Sequence, residues 1–339
     1  MNLLKLIYYN CISALPLGFI KTISPPSCLF PYHHIVSNEI VPHIKYLYNY
    51  KNVDQFNNDL DVLLKNFKPI TPGELIDYIS TNKQLPKNTF LLTFDDGFRE
   101  IYDVVAPILE AKGIPAIFFI NPAFIDNKKL FYRSKSSLLI HELLKNKNNK
   151  TLLSGLSLVL NSSELSLEEL ISRIKKLNHT DEEIMDNLAQ KISLSFEDYL
   201  QNKKPFLTTQ QLISLHKRGF TIGAHSWDHP YYDQLNLSDQ IDETIRSTNF
   251  VKDKISSEKV TFSFPYSDAG LSQTLFDELK KKGIDLMFGI QNQKDELNNN
   301  MVHRFNAERP EVSFSTQLKG MLLFMAIQKK FGKNNVPRN

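Results

Sequence analysis

Short apolar runs alternate along the chain with stretches of helical periodicity. Continuous apolar runs of strand length are typical of strands buried on both faces. Such runs cover residues 89–94, 116–120, 220–224 and 260–264. Helical patterns lie between them, and the short joints predict parallel pairing of the strands. We therefore predict a closed or nearly closed (β/α) barrel, with a doubly wound open sheet as the alternative and a functional site at the C-terminal ends of the strands.

Residues 126–204 interrupt this alternation. The stretch is rich in Lys, Asn, Ser, Leu and Glu, contains several helical patterns and lacks a strong strand pattern. We interpret it as a helical insertion on the rim near the strand C-termini, where it could act as a lid. The predicted organisation is an apolar segment over 1–27, the barrel with its insertion over 28–310, and a helix with a basic tail over 311–339.

The composition is that of a globular protein. Of 339 residues, 42% are hydrophobic and 23% charged, which excludes a disordered chain, a collagen-like repeat and a disulfide scaffold. The 40 basic and 37 acidic residues give a net charge of +3, too small to indicate binding of nucleic acid. We expect the two cysteines, Cys11 and Cys28, to be unrelated thiols.

Both ends of the chain carry apolar stretches. Residues 6–20 resemble a short signal peptide, but polar residues interrupt the run and no cleavage pattern follows. The run is also shorter than the roughly 20 apolar residues of a membrane span. We expect each end to pack on the barrel or to rest peripherally on a membrane surface, packing being favoured for the final helix, about 315–330. A cytoplasmic or membrane-peripheral location is favoured over secretion.

Two adjacent carboxylates, Asp95 and Asp96, follow the most hydrophobic predicted strand. Like charges so close repel each other, and burial disfavours both, so a cation or a shared proton would relieve the cost. A simple turn is the alternative, because Asp-Asp-Gly is good turn chemistry.

Two histidines, His225 and His229, follow another predicted strand at a spacing that can bind one metal. One carboxylate with two imidazoles leaves open coordination positions, as in catalytic metal sites. A third segment, Phe264-Pro265-Tyr266, also follows a strand, and by itself it indicates only a strand that ends at proline. From the residues alone we predict a metal site of two histidines and one carboxylate, with a spare carboxylate beside it.

Taken together, these segments resemble a known family. Thr93-Phe94-Asp95-Asp96-Gly97, His225-Ser-x-x-His229 and Phe264-Pro265-Tyr266 are similar to the first three motifs of the polysaccharide deacetylases, the NodB-homology enzymes of carbohydrate esterase family four. The resemblance extends from about residue 31 to residue 304, apart from the insertion. It implies a deformed (β/α)7 barrel and the metal-dependent removal of acetyl groups, usually from N-acetylated sugars.

The resemblance also implies roles for individual residues. Asp95 would be the general base. Asp96, His225 and His229 would hold one divalent metal, with zinc preferred over cobalt, nickel or manganese.

The third motif implies a substrate-binding role and also contains a departure from the family pattern. Pro265 and Tyr266 would form a wall of the substrate groove, where the backbone N–H of Tyr266 would help to stabilise the oxyanion. Many members carry an arginine shortly before this motif that holds the base, and this chain has none there. Arg304 or Arg99 could substitute for it.

The general acid is less clearly marked. The family's late Leu-x-His motif, which supplies it, has only a loose counterpart at His303. The opening Pro31-Tyr32-His33-His34 resembles that of the biofilm poly-N-acetylglucosamine deacetylases, in which the motif order is permuted and an N-terminal histidine is the acid. We therefore favour His33 over His303. Because side chains alternate along a strand, His34 should point the opposite way.

The resulting functional prediction is a hydrolase that removes N-acetyl groups from a sugar of a polysaccharide, an oligosaccharide or a lipid-linked glycan. One alternative is an O-acetyl esterase or a non-sugar amidohydrolase on the same fold. The other is a carbohydrate-binding protein without catalysis, which the retention of all four core motif residues disfavours.

Overall fold

The computed structural model describes residues 8–9, 11–24, 26, 28–81, 83–257, 259–296 and 300–338. Parts of the predicted N-terminal segment, residues 1–7, 10, 25 and 27, lie outside the described residues. The chain divides into two compact units. We call Met1–Asn38, Tyr50–Pro122 and Leu207–Asn339 the barrel unit, and Glu39–Asn49 and Ala123–Phe206 the helical unit. Cys11 and Cys28 are free thiols, as predicted.

Short parallel strands form the centre of the barrel unit. They are β1 Cys28–Leu29, β2 Pro31–His33, β3 Lys68–Pro69, β4 Thr89–Phe90, β5 Leu92–Phe94, β6 Ala116–Ile120, β7 Thr221–Ala224, β8 Thr261–Ser263, β9 Leu286–Gly289, β10 Met301–His303 and β11 Phe305–Asn306. The main sheet has the order β10-β9-β8-β7-β6-β5-β2-β11, and a smaller sheet has the order β1-β4-β3. All pairings between these strands are parallel, as the βαβ pattern predicted.

The main sheet is closed by one bent segment. Strands β10 and β11 are separated only by Arg304, and they pair with opposite edges of the sheet, β9 and β2. The backbone N–H of Arg304 donates to Gly289 (2.8 Å), and that of Phe305 donates to Phe30 (3.0 Å). A single strand therefore bridges both edges, which gives seven strand positions. The predicted deformed (β/α)7 barrel is confirmed, and the open doubly wound sheet is excluded.

Helices precede, connect and follow the strands of the barrel unit. They are Leu17–Ile23, Val53–Asn66, Pro72–Ser80, Ala106–Ala111, Thr209–Lys217, Leu237–Ile255, Gln273–Lys281 and Phe314–Lys330, with a π-helical turn at Ile101–Val105. Local sequence explains several starts: Asn52, Thr71 and Thr208 each form a reciprocal capping box with the third residue of the helix. Among the described residues, none of the helices combines the length and apolar character that a membrane span requires.

The barrel interior is packed with aliphatic and aromatic side chains. Every residue of β6 is buried, and the rings of Phe94, Phe118, Phe119 and Phe288 are fully buried. Strand β7 carries a glycine where this packing leaves no room for a side chain, because a Cβ at Gly223 would lie 2.5 Å from the Phe119 ring. The strands are therefore fixed against one another immediately before their C-terminal ends, where the predicted site residues lie.

The helical unit is made of the helices Tyr132–Lys145, Lys150–Val159, Leu167–Lys176, Glu182–Lys191 and Phe196–Lys203, with 3₁₀ turns at Ile125–Asn127 and His179–Asp181. Its described residues contain no strand element. The segment Glu39–Asn49 also belongs to it, which the sequence did not predict. Ser137 Oγ donates to the carbonyl of Pro42 (2.7 Å), and His43 Nδ1 lies 2.9 Å from Tyr199 Oη. The placement of the insertion on the barrel rim stays a prediction.

Candidate active site

Strand β5 carries the two adjacent aspartates into a buried turn. Asp95 and Asp96 are 3% and 6% exposed. The backbone of Asp96 has a φ of 70°, and Gly97 follows with a φ of 66°. Ser226, His229 and Tyr266 also have positive φ (67°, 56° and 55°). Strained non-glycine residues of this kind are frequent at functional sites, and four of the fourteen among the described residues lie in the three segments that the sequence singled out.

The two histidines follow β7. The backbone N–H of His225 donates to the carbonyl of Ile120 (2.9 Å), which continues the β6–β7 ladder into the site. His225 Nδ1 lies 2.8 Å from the carbonyl oxygen of Ser263, and a carbonyl can only accept, so Nδ1 carries the proton and Nε2 keeps its lone pair. Ser226 Oγ accepts from the N–H of His229 (3.0 Å) and holds the turn between the histidines.

Three side chains converge as ligands would around a metal ion. His229 Nε2 lies 3.3 Å and His225 Nε2 3.6 Å from Asp96 Oδ1. Two ligands that each lie 2.0–2.2 Å from a tetrahedral metal are roughly 3.3–3.6 Å apart. Asp96, His225 and His229 are hereafter called the metal-ligand cluster.

The donor set of this cluster fits a divalent cation. Asp96 Oδ1 is buried and accepts no well-formed hydrogen bond from any described residue, which leaves a buried charge to be neutralised. Burial lowers the pKa of His225 to about 4, despite the opposing effect of Asp95. A neutral imidazole with a fixed tautomer is the form that binds a metal.

Asp95 is held by an arginine. Arg304 Nη1 donates to Asp95 Oδ1 (2.7 Å) and Nη2 to Oδ2 (2.8 Å). The guanidinium is fully buried, donates also to Ser263 Oγ (2.5 Å), and lies over the ring of Tyr32 at 4.8 Å. Burial would raise the pKa of Asp95, but Arg304 and, less strongly, the neighbouring histidines hold it below its usual value. Asp95 is therefore an ionised carboxylate at neutral pH.

The structure brings only one of the two suggested arginines to the site. Arg304 binds Asp95, whereas Arg99 Nε lies 3.1 Å from Asp103, and both of those side chains are well exposed. Arg304 comes from the bend in the closing strand, so its placement depends on closure of the barrel.

His33 lies outside this group. Its ring stacks on Phe94 (centroids 5.4 Å apart, 22°) and meets the edge of Phe56 (5.3 Å), and the residue is 1% exposed. Burial lowers the pKa of His33 well below its usual value, so the ring is neutral in this apolar layer between β2 and the helix Val53–Asn66. This packing contradicts the prediction of His33 as the general acid, which required it to face the metal-ligand cluster.

The inward-facing histidine is His34, which the sequence interpretation assigned no catalytic role. Its Nδ1 lies 2.6 Å from Glu308 Oε2, and its backbone N–H donates to Glu308 Oε1 (2.7 Å). Burial lowers the pKa of His34, but Glu308 and then Asp96 and Asp95 outweigh this effect and raise it to about 9. The alternation of side chains along β2 could have identified His34, because it places His34 on the same face as Tyr32, whose ring contacts Arg304.

The third motif lies against the metal-ligand cluster. The Tyr266 ring meets His229 edge-on at 4.5 Å and stacks on Tyr231 at 3.8 Å and 11°. Tyr231 was not predicted from the sequence, although it follows His229 by two residues. The two tyrosines form an aromatic wall beside His229, and the role of Pro265 in this wall stays a prediction.

Comparison with known proteins agrees with this geometry. The model of the family described as polysaccharide deacetylase matches residues 82–287, which is more than half of the chain. The chain belongs to the polysaccharide deacetylase family. This is a family of hydrolases that act on carbon–nitrogen bonds.

Individual relatives of this deacetylase-family chain are distant. YheN of Bacillus subtilis (strain 168), whose name places it among the polysaccharide deacetylases, is 26% identical over 165 residues, which are 47% of this chain and 53% of YheN. The chain thus spans about half the length of this curated relative.

Solved structures with the same fold include two deacetylases and a protein named IcaB. The Streptococcus pyogenes deacetylase PplD has a TM-score of 0.57 at 14% identity, covering 88% of this chain and 99% of PplD. IcaB from Ammonifex degensii has a TM-score of 0.55 at 17% identity, covering 88% and 98%. A de-N-acetylase from Aggregatibacter actinomycetemcomitans has a TM-score of 0.52 at 16% identity, covering 86% and 99%. At these identities the likeness is one of fold.

In this deacetylase-family barrel, His303 belongs to a second buried group. His303 Nε2 lies 2.7 Å from Glu296 Oε2 and its Nδ1 3.8 Å from Asp268. Arg338 Nη2 lies 2.8 Å from Asp268 Oδ2 and 2.6 Å from Glu296 Oε2. We call Asp268, Glu296, His303 and Arg338 the Arg338 cluster. His303 and Arg304 are adjacent in the chain, and only Arg304 reaches Asp95.

Proposed function

We propose that the protein is a metal-dependent hydrolase that removes acetyl groups from an N-acetylated sugar of a polysaccharide, oligosaccharide or lipid-linked glycan. The observation that carries the proposal is the convergence of the metal-ligand cluster beside the Arg304-bound carboxylate of Asp95. Family membership supports the reaction class. The related structure of PplD was solved in complex with acetate, the product that this reaction would release.

The metal-ligand cluster would hold one divalent cation, zinc by preference, through Asp96 and the Nε2 atoms of His225 and His229. When bound, such a cation supplies a Lewis acid that lowers the pKa of water and polarises a carbonyl group. Three protein ligands leave coordination positions open for water and substrate, as catalytic sites require.

Asp95 would act as the general base. The carboxylate is ionised, and each oxygen has a second lone pair beyond the one that Arg304 uses. Oδ2 lies 3.9 Å from His225 Nε2, so the carboxylate faces the position of the cation. From there Asp95 would accept the proton of the water that attacks the acetyl carbonyl, while Arg304 prevents it from rotating away.

His34 replaces His33 as our proposed general acid. Glu308 accepts from both the backbone and the ring of His34, so it fixes the ring orientation and favours the protonated form. Protonated His34 would donate a proton to the amine that leaves the tetrahedral intermediate, and free amino sugar and acetate would result. The aromatic wall of Tyr231 and Tyr266 would contact the apolar face of the sugar ring, and the Tyr266 N–H remains our proposed oxyanion donor.

The test combines metal analysis with acetate release by the purified protein. N-acetylated oligosaccharides, a lipid-linked N-acetylated sugar, an O-acetylated sugar and a simple acetamide are compared at equal concentration. The proposal expects about one divalent ion per chain and acetate only from N-acetylated sugars. Preference for the O-acetylated sugar would instead establish an esterase. Binding of glycan with no acetate release in the metal-loaded protein would establish a binding protein.

A further inference from the structure

Exposed apolar side chains are concentrated at the two ends of the chain. Among the described residues, seven of the eleven exposed large hydrophobic side chains lie within residues 8–23 and 324–331. Isolated exposed hydrophobic residues are normal on protein surfaces, but a concentration of them marks an interaction surface. The exposed apolar side chains therefore belong mainly to the two terminal segments of the chain.

The terminal helices pack against each other. The helix Leu17–Ile23 contacts the helix Phe314–Lys330. Tyr8 Oη donates to the carbonyl of Gly320 (2.9 Å), and Lys319 Nζ donates to that of Ser13 (2.9 Å). A Cβ at Gly320 would lie only 3.2 Å from the Tyr8 ring, so the glycine permits this close approach. The two exposed apolar sets consequently belong to one packed pair of helices.

Each set lies on one side of its helix. Phe324, Ile327 and Phe331 are 46%, 52% and 67% exposed, and their spacing places them within about 60° of the helix circumference. Phe19 and Ile23 are 55% and 52% exposed and are four residues apart. We call these five residues the terminal apolar face.

Charge identifies what covers this face. Residues 1–38 and 312–339 contain seven basic residues and no acidic residue, while the remainder contains 33 basic and 37 acidic residues. Two of the seven are not available to a partner, because Arg338 belongs to the Arg338 cluster and Lys319 binds the carbonyl of Ser13. Lys329, Lys330 and Lys333 are exposed where the final helix ends. Exposed apolar and aromatic side chains on a helix that ends in three exposed lysines are complementary to a bilayer with anionic headgroups.

We propose that the terminal apolar face docks the protein on the surface of an anionic phospholipid membrane. The aromatic and aliphatic side chains enter the boundary between headgroups and acyl chains, and the lysines contact the headgroup phosphates. Docking through helices packed on the barrel needs no membrane-spanning segment. This inference goes beyond the proposed catalytic function and does not depend on it.

Flotation of the full chain with vesicles tests the proposal. Vesicles of phosphatidylcholine alone are compared with vesicles that also contain phosphatidylglycerol. We expect the wild type to bind the mixed vesicles and to dissociate as salt is raised. The double variant Phe324→Ser with Phe331→Ser should weaken binding at least about tenfold, because it removes two membrane-inserted rings. Replacing Lys329, Lys330 and Lys333 with Gln should weaken binding by about fivefold per lysine, and only to anionic vesicles.

A matched control removes exposed apolar side chains elsewhere. Leu158 and Leu237 are 66% and 38% exposed, and replacing both with Ser should leave vesicle binding unchanged. Circular dichroism and thermal unfolding verify that each variant is folded. Absence of wild-type binding, or equal binding by the phenylalanine variant, would overturn the proposal. A wild-type dimer that the phenylalanine variant converts to a monomer in light scattering would also overturn it, because a second copy would then cover the face.

Discussion

The metal-ligand cluster and the Arg338 cluster contain the same kinds of side chain, but they distribute charge differently. In each, three potential ligand atoms from carboxylates and histidines lie within 4.8 Å of one another. Arg338 contacts both carboxylates of its own cluster. Arg304 pairs with Asp95 and leaves Asp96 Oδ1 without a donor. Short distances between such residue types therefore do not by themselves define a metal site, whereas a buried carboxylate oxygen without a donor favours one.

Replacement of one carboxylate in each cluster should separate the two most strongly. Asp96→Ala removes a proposed metal ligand, so we expect loss of bound metal and a fall in activity of about 10⁴-fold, since a Lewis acid supplies several kcal/mol of transition-state stabilisation. Asp268→Ala should retain one metal per chain. Elemental analysis with acetate-release kinetics measures both. Loss of bound metal in Asp268→Ala rather than in Asp96→Ala, or two ions per chain in the wild type, would contradict this distinction.

Asp95→Asn should separate metal binding from catalysis. The amide keeps the shape but cannot accept the proton, so kcat should fall by about 10²–10⁴-fold while the metal stays bound. The substitution also removes the negative charge of Asp95 that Arg304 neutralises, so thermal unfolding is recorded as a control. Wild-type activity in this variant would remove Asp95 as the base.

Two histidine–glutamate contacts differ in the exposure of the histidine. His34 lies 2.6 Å from Glu308, and His303 lies 2.7 Å from Glu296, but the His34 side chain is 20% exposed and that of His303 is fully buried. We expect His34→Ala to lose about 10²–10⁴-fold in activity with the metal retained, and His303→Ala to lose far less. His33→Phe is the matched control, because it preserves the aromatic packing and should keep activity. A large loss in His33→Phe with a small one in His34→Ala would restore the original assignment.

Arg338→Ala should affect stability more than chemistry. The side chain is 5% exposed and its removal leaves two buried carboxylates without their cation, which typically costs about 3–5 kcal/mol. We expect a lower midpoint of urea unfolding with unchanged metal content and, below that midpoint, unchanged kcat. Loss of metal in the folded variant would show that the two clusters are coupled.

Much of the site was predictable because parallel strands gather their C-terminal ends at one edge. Asp96, His225 and His229 each follow a strand, so their proximity required only the barrel. His33 was expected to face the metal-ligand cluster and instead packs on Phe94 and Phe56. A shift of one residue along a strand reverses the side chain's face, and the sequence did not define the register of β2 well enough to choose between His33 and His34.

Long-range partners were harder to predict. Glu308 and Arg338 lie outside every recognised motif, and their contacts depend on how the last strand and tail return to the barrel. The sequence suggested both Arg304 and Arg99 as partners of Asp95, and only the bend between β10 and β11 distinguishes Arg304 from Arg99. The segment Glu39–Asn49 lacks any pattern that would link it to Ser137 and Tyr199, its hydrogen-bond partners at separations of 91 to 156 residues.

The bent closing strand has a consequence for folding kinetics. Arg304 and Asp95 are 209 residues apart in sequence, so a growing or partly folded chain must carry Asp95 through most of barrel assembly without its counter-charge. An intermediate with an open seam therefore either keeps this carboxylate in contact with water or protonates it. Docking of the last strand simultaneously completes the hydrogen bonds of both sheet edges and neutralises the buried charge. Closure of the seam should accordingly be a late, all-or-none event, slow because of its high contact order.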